Sequence, residues 1–188
     1  GRFREFWQLD FDTVGVADPS CDAEVCLVLC DALEAIGLER GSYEVRVSSR
    51  KLIRGLFESL GVTGDEGLER DILRVVDKLD RIGVEGVASE LGPGRDDQES
   101  GARVPGLGLG DGVIRPICGY VGLCADLATR ERVLASLEGL VGGSPSGRAG
   151  LDELRAIHDV LAALGYGEER VVLDPSVARG LAYYTGLV

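Results

Sequence analysis

The sequence begins and ends in strand-forming stretches with a largely helical block between, and that constrains its fold more than any other feature. Residues 3 to 15 alternate and are rich in β-forming and aromatic types, with Phe3, Phe6, Trp7, Phe11 and Val14 before Gly15. Residues 180 to 188 read as another strand, whereas most of the chain between repeats at helical spacing. A strand cannot satisfy its own backbone, so strands at both ends must find partners. The simplest expectation sets the opening and closing strands side by side, with a helical block between.

Within that block, Asp18-Pro19-Ser20 supplies a turn and cap for a helix over 20–36, which Gly37 stops. A short strand is expected over 43–48 and a helix over 50–60, closed by Gly61. From Asp65 to Gly83 the pattern Leu68, Ile72, Leu73, Val75, Val76, Leu79 predicts one amphipathic helix dense in charge. Residues 92–112 are rich in glycine, carry Pro93 and Pro105, and read as a flexible loop. Helical patterns follow over 126–141 and 149–164, separated by the Gly- and Ser-rich stretch 142–147. A strand over 170–173 and a turn at Asp174-Pro175-Ser176 lead to the closing strand.

Composition narrows function. A net charge of −12 at pI near 4.5 excludes a chain that grips nucleic acid over its whole face, because phosphate neutralisation needs clustered Lys and Arg. No DNA contact is expected. No apolar run reaches the roughly eighteen residues that a membrane-spanning helix needs, and Gly1-Arg2-Phe3-Arg4-Glu5 is unlike a signal peptide, so a cytoplasmic protein is expected. The five cysteines form no C-x-x-C pair and only one histidine, His158, could assist them, so no protein-bound metal is expected. Cys26 and Cys30, four apart among aliphatics, read as small buried hydrophobes on one helix face. His158 reads as a helix-surface histidine and Trp7 as a core residue. The Gly-rich stretch lacks the lysine and strand-to-helix context of a phosphate-binding loop.

Chemistry concentrates at the two ends. In an opening strand, Arg2, Arg4, Gln8, Asp10 and Asp12 would share one face, either solvated or turned to a ligand. Their order, cations first and carboxylates later, suits a ligand with an anion at one end and an amine or imidazole at the other. In Arg179-Gly180-Leu181-Ala182-Tyr183-Tyr184-Thr185-Gly186, adjacent tyrosines on a strand would point oppositely. One could then pack while the other offers a hydroxyl.

These two segments carry a family resemblance. Gly1 to Gly15 resembles the second half of motif 2 of class II histidyl-tRNA synthetases, and Arg179 to Gly186 resembles their histidine signature, R-G-L-D-Y-Y-T-G. Between them, Ser49-Arg50-Lys51-Leu52-Ile53 is similar to the family's N-N-R-K-L-L stretch. Lys78-Leu79-Asp80-Arg81-Ile82-Gly83 is similar to the D-K-L-D-K-I-G that opens its inserted helical domain.

The resemblance implies an α+β fold: part of the class II antiparallel sheet with flanking helices, plus a helical insertion domain. It divides the chain into catalytic domain over 1–65, insertion domain over 66–146 with the loop 92–112, and a return to the catalytic domain over 147–188. It implies Arg2 as a phosphate ligand of ATP, Gln8 on the α-amino group of histidine, and Asp12 on one imidazole nitrogen. Tyr183 and Tyr184 fall in the histidine pocket, Tyr184 at the other ring nitrogen. Arg179 would lie between the histidine carboxylate and the ATP α-phosphate, stabilising charge as the adenylate forms. Ala182 departs from the family, standing where the signature has Asp.

The implied partners are histidine, ATP with Mg2+, tRNA(His) and, in the full-length family, a second subunit. Motif 1, motif 3 and an anticodon-binding domain are not in the sequence, so this polypeptide alone is not expected to aminoacylate. The competing expectations are the synthetase-like regulatory subunit of ATP phosphoribosyltransferase and a tRNA-sensing pseudo-synthetase attached to a kinase. Survival of Gln8, Asp12, Arg179 and Tyr184 together favours the ligase over the regulatory subunit, whereas the pseudo-synthetase would leave no discriminating mark in this segment.

Overall fold

The structure is a computed structural model that describes residues 5, 7, 8, 10–16, 18–97, 101–123, 129–177 and 186–188. Seven helices and four short strands are found among them: α1 (Pro19–Ala35), β1 (Val45–Val47), α2 (Arg50–Leu60), α3 (Glu66–Val76), α4 (Leu79–Leu91), β2 (Gly94–Asp96), β3 (Arg103–Pro105), α5 (Asp111–Val121), α6 (Arg130–Val141), α7 (Pro145–Ala163) and β4 (Val171–Leu173).

Local chemistry sets many of the boundaries. Asp18 caps α1 by accepting from Ser20 N, with Pro19 in the first turn where a missing N–H costs nothing. Ser49 caps α2, and Gly61 ends it in the left-handed conformation at φ 67°. Ser144 caps α7 ahead of Pro145, so this helix starts inside the stretch expected to separate two helices.

Three expectations need correction. The single helix over 65–83 is two: α3 ends at Val76, and α4 runs on past Gly83, which kinks it with φ 66° and ψ 175°. The stretch 92–112 holds the antiparallel hairpin β2–β3 rather than a plain loop. A Cβ at Gly94 would strike the Val104 carbonyl, and one at Gly106 the Gly92 carbonyl, so these glycines permit two backbones to approach closely. Helix α5 was not foreseen, because Gly112, Pro116 and Gly119 all argue against a helix there. Its complete burial of Ile117 and Tyr120 offsets them.

The opening segment also differs. Its described residues form no strand, and Trp7, expected in the core, is fully exposed. With no ladder partner, alternation has no face to define.

The main sheet is small. β1 and β4 pair in parallel with Val45 opposite Val171 and Leu173 opposite Val47. Beyond β1 the chain pairs antiparallel with the C-terminus: Ser48 N donates to Val188 O, Val188 N to Ser48 O, and Arg50 N to Gly186 O. Successive residues of a strand aim their backbone groups to opposite sides. Because Val45 and Val47 bond β4 while Ser48 and Arg50 bond 186–188, β4 and the C-terminus lie on opposite edges of one central strand. The sheet is therefore mixed, not purely antiparallel.

The helices cover it around α7, on which α1, α2 and α6 pack. Leu52, Leu56, Leu151, Leu154, Ile157 and Leu161 are all at most 1% exposed, and one buried cluster runs from Cys26 and Cys30 on α1 through to Ile117 on α5. Helices α2 and α7 meet glycine to glycine. A Cβ on Gly55 would meet the Gly147 backbone and lie 2.6 Å from Ser144 Oγ.

Two predictions follow from this packing. Gly55→Ala should lower unfolding stability by about 1–3 kcal/mol, the usual cost of overpacking, read as a lower midpoint in urea. Glu90 on α4 is 2% exposed between Lys78 Nζ at 2.6 Å and Arg95 Nε at 3.0 Å. Burial pulls its carboxyl up, but the two cations outweigh burial and hold it below its ordinary 4.5. Stability from a carboxyl held low is full above the unfolded value and is lost as pH falls through the folded one. Glu90→Gln should therefore destabilise at neutral pH and flatten the acid limb below about pH 4.5 in a thermal-melt series.

Candidate functional site

Three buried ionic groups fix β4 and the turn after it. Arg170, just before the strand, is 3% exposed and donates to Asp31 at 3.1 Å and Glu34 at 2.8 Å, both on α1. Its guanidinium lies over the Tyr166 ring, 3.6 Å from the centroid. Burial works against this charge, but Tyr43, Tyr166 and Glu34 outweigh it and raise the group above its ordinary value.

Arg130, the first residue of α6, is equally buried. Its Nη1 donates to Val171 O at 2.9 Å and its Nη2 to Tyr166 O at 2.8 Å. Its Nε donates to His158 Nδ1 at 3.2 Å, while His158 Nε2 stands 3.4 Å from Glu131. His158 is thus not the surface residue expected. It is a half-buried link that orients the arginine.

Asp174 follows β4 and is 1% exposed. It accepts from Ser176 N at 2.9 Å, Ser176 Oγ at 2.6 Å and Arg46 Nη1 at 3.0 Å.

Asp174, Ser176 and Val177 form one wall of a cleft of about 210 Å³, with Arg46 from β1 and the α3–α4 junction, Val76 to Asp80, on the others. The Asp174-Pro175-Ser176 turn and the Asp77-Lys78-Leu79-Asp80 stretch, about a hundred residues apart, thus share one cavity. The cleft opens two residues before Arg179 in the sequence. Beyond the signature, Gly186 to Val188 are held against Ser48 to Arg50. Ser49 is in turn bonded to Glu153 of α7 at 2.9 Å, and Glu153 also pairs with Lys51. The Glu153 charge acts with burial to push the Asp22 carboxyl above its ordinary value, burial being the larger cause.

Of the six candidate site residues, two are described. Gln8 and Asp12 are both exposed, and Gln8 Nε2 donates to the two Asp10 carboxylate oxygens at 2.9 and 2.7 Å. Arg2, Arg179, Tyr183 and Tyr184 lie outside the described residues, as does Arg4. The expected pairing of the opening and closing strands is not formed by the described parts of either: 186–188 pair with 48–50, and the opening segment carries no ladder. Sequence reasoning missed Arg130, Arg170 and Glu90, for nothing local marks an arginine or glutamate that will be buried. Asp174 left the one usable signal, an Asp two residues before a Ser in a Pro turn.

The family model described as histidyl-tRNA synthetase matches residues 1–188. The chain belongs to the histidyl-tRNA synthetase family. Among its relatives, the histidine–tRNA ligase of Ruegeria pomeroyi is 48% identical over 189 residues, covering all of this chain and 37% of that protein. The histidine–tRNA ligase of Dinoroseobacter shibae is 48% identical over 194 residues, again all of this chain and 38% of that protein. The chain therefore spans a little over a third of the length of these synthetases. The crystal structure of the histidyl-tRNA synthetase from Nostoc sp. PCC 7120 superposes with a TM-score of 0.72 at 23% identity, over 92% of this chain and 36% of that one. That likeness establishes the fold of a synthetase segment, mostly helical with a small sheet.

Arg130 offers a direct check on how β4 is held. Arg130→Met should leave the Val171 and Tyr166 carbonyls without their donor and cost about 3 kcal/mol of unfolding free energy, measured by urea titration. A loss under about 1 kcal/mol would mean that water replaces the guanidinium.

Proposed function

We propose that this chain supplies part of the histidine site of a cytoplasmic histidine–tRNA ligase, which activates histidine with ATP to histidyl-adenylate and transfers it to tRNA(His). The observation that carries this reading is the family match across all 188 residues, including both chemically loaded ends. Relatives named as ligases favour it over the regulatory subunit of ATP phosphoribosyltransferase.

In this reading, the Asp12 carboxylate accepts an imidazole N–H, which discriminates against side chains lacking that donor. Tyr184 meets the other ring nitrogen, Tyr183 borders the pocket, and Gln8 receives the α-amino group. Gln8 Nε2 donates to Asp10, which leaves its amide oxygen Oε1 to accept from the α-ammonium. Arg2 binds ATP phosphate.

Arg179 stabilises the charge that develops on the α-phosphate as the histidine carboxylate attacks and pyrophosphate leaves. Mg2+ would arrive with ATP as its counter-ion. Ala182 removes a carboxylate that the family signature carries, which weakens the pocket rather than abolishing it. Residues 66–146 are the inserted helical domain, its acidic surface giving no independent reason for RNA contact. A second subunit and the remaining two thirds of the synthetase complete the active site.

Calorimetric titration of histidine into the chain tests this. Weak binding selective for imidazole side chains is expected, reduced at least tenfold, or about 1.4 kcal/mol, by Asp12→Ala and by Arg179→Ala. Binding that ignores both substitutions would remove the pocket from this reading. Pyrophosphate exchange by the 188-residue chain alone should stay at background.

A further inference from the structure

Asp174 is too well held to be only a turn residue. A carboxylate at 1% exposure must have its lone pairs met by donors, and here each oxygen serves a different purpose. Oδ1 closes the local turn by accepting from Ser176 N and Oγ. Oδ2 reaches out of the turn to Arg46 Nη1 at 3.0 Å, in the middle of β1. The backbone adds two more ties: Asp174 N donates to Val47 O at 2.9 Å, and Val177 N donates to Asp174 O at 3.1 Å.

A turn needs only the first of these sets of contacts, since an Asx-type bond to the residue two positions on is sufficient. The ion pair to β1 is an addition, and pairing a buried carboxylate does not by itself raise stability over an apolar alternative. What it does provide is register. Glu44 holds Arg46 Nε at 2.7 Å, so the guanidinium is fixed from both sides. Asp174 is thereby placed relative to β1, the same strand whose continuation holds Gly186 and Val188 on the opposite edge. Both flanks of the signature are thus referenced to one strand, and Asp174 and Arg46 also line the cleft at its start.

We propose that Asp174, gripped by Arg46, is a positioning residue for the histidine site: it fixes against β1 the turn that leads into the Arg179–Gly186 signature. This rests on the reading of that signature given above. The residue touches no substrate and acts through the chain that follows it.

The test is histidine-dependent pyrophosphate exchange by a full-length ligase carrying this segment, with rates expressed per active site from the burst of adenylate formation. Asp174→Asn keeps the turn acceptor and removes the charge, while Arg46→Gln removes the same pair from a half-exposed position that folding tolerates. Each should raise KM for histidine about fivefold or more with KM for ATP within about twofold, and the double variant should be no worse than either single, because one interaction is lost in all three. Ser176→Ala should change KM less. A smaller burst with unchanged KM per active site, or additive effects in the double variant, would overturn the proposal by showing that the pair only maintains the fold. Failure of the underlying reading is separate: Asp12→Ala and Arg179→Ala would then leave exchange unaltered.

Discussion

Parallel strands of three residues gain too few ladder bonds to hold themselves together, so the β1–β4 pairing survives because its surroundings supply what the ladder lacks. Val45, Val47, Val171 and Leu173 are all buried, and the carbonyl of Val171 meets the Arg130 guanidinium. Arg170 clamps the approach to β4 onto α1, and Asp174 clamps its exit onto β1. Because β1 is central, with β4 on one edge and 186–188 on the other, whatever fixes β1 fixes both flanks of the signature.

The cations concerned are used inward. The chain carries twenty Lys and Arg against thirty-two Asp and Glu, and several of those positive charges are committed to buried work: Arg130 and Arg170 around β4, Lys78 and Arg95 around Glu90. Among the described residues, the buried carboxylates Glu90 and Asp174 match the buried Arg130 and Arg170, so the surface keeps the net negative charge of the composition. Such a surface offers the phosphates of an RNA few cations to neutralise them.

Legibility in the sequence tracked how local each determinant is. Helices α1 and α2 could be read because an N-cap, an apolar stripe and a glycine stop lie within about twenty residues of one another. Helix α5 could not, since its intrinsic preferences oppose it and only burial of Ile117 and Tyr120 compensates. The reverse holds for the opening segment, where alternation promised a strand and Trp7 a core position. Neither forms among the described residues, because alternation specifies a face only once a partner strand exists. At the candidate site, the two signature stretches were legible as resemblance, while their supports were not. Arg130, Arg170 and Glu90 look like ordinary surface charges until the fold closes over them.

The sequence by itself determined the family and the helices whose caps are written beside them. Tertiary structure decided which strand lies at the centre, that the sheet is mixed, that the glycine-rich stretch is a hairpin, and that Gly55 and Gly147 stand back to back. The division has a physical cause. Periodicity and capping act between residues within a turn or two, whereas strand order, close backbone approach and the pairing of buried charges depend on residues a hundred positions apart, which no local window contains.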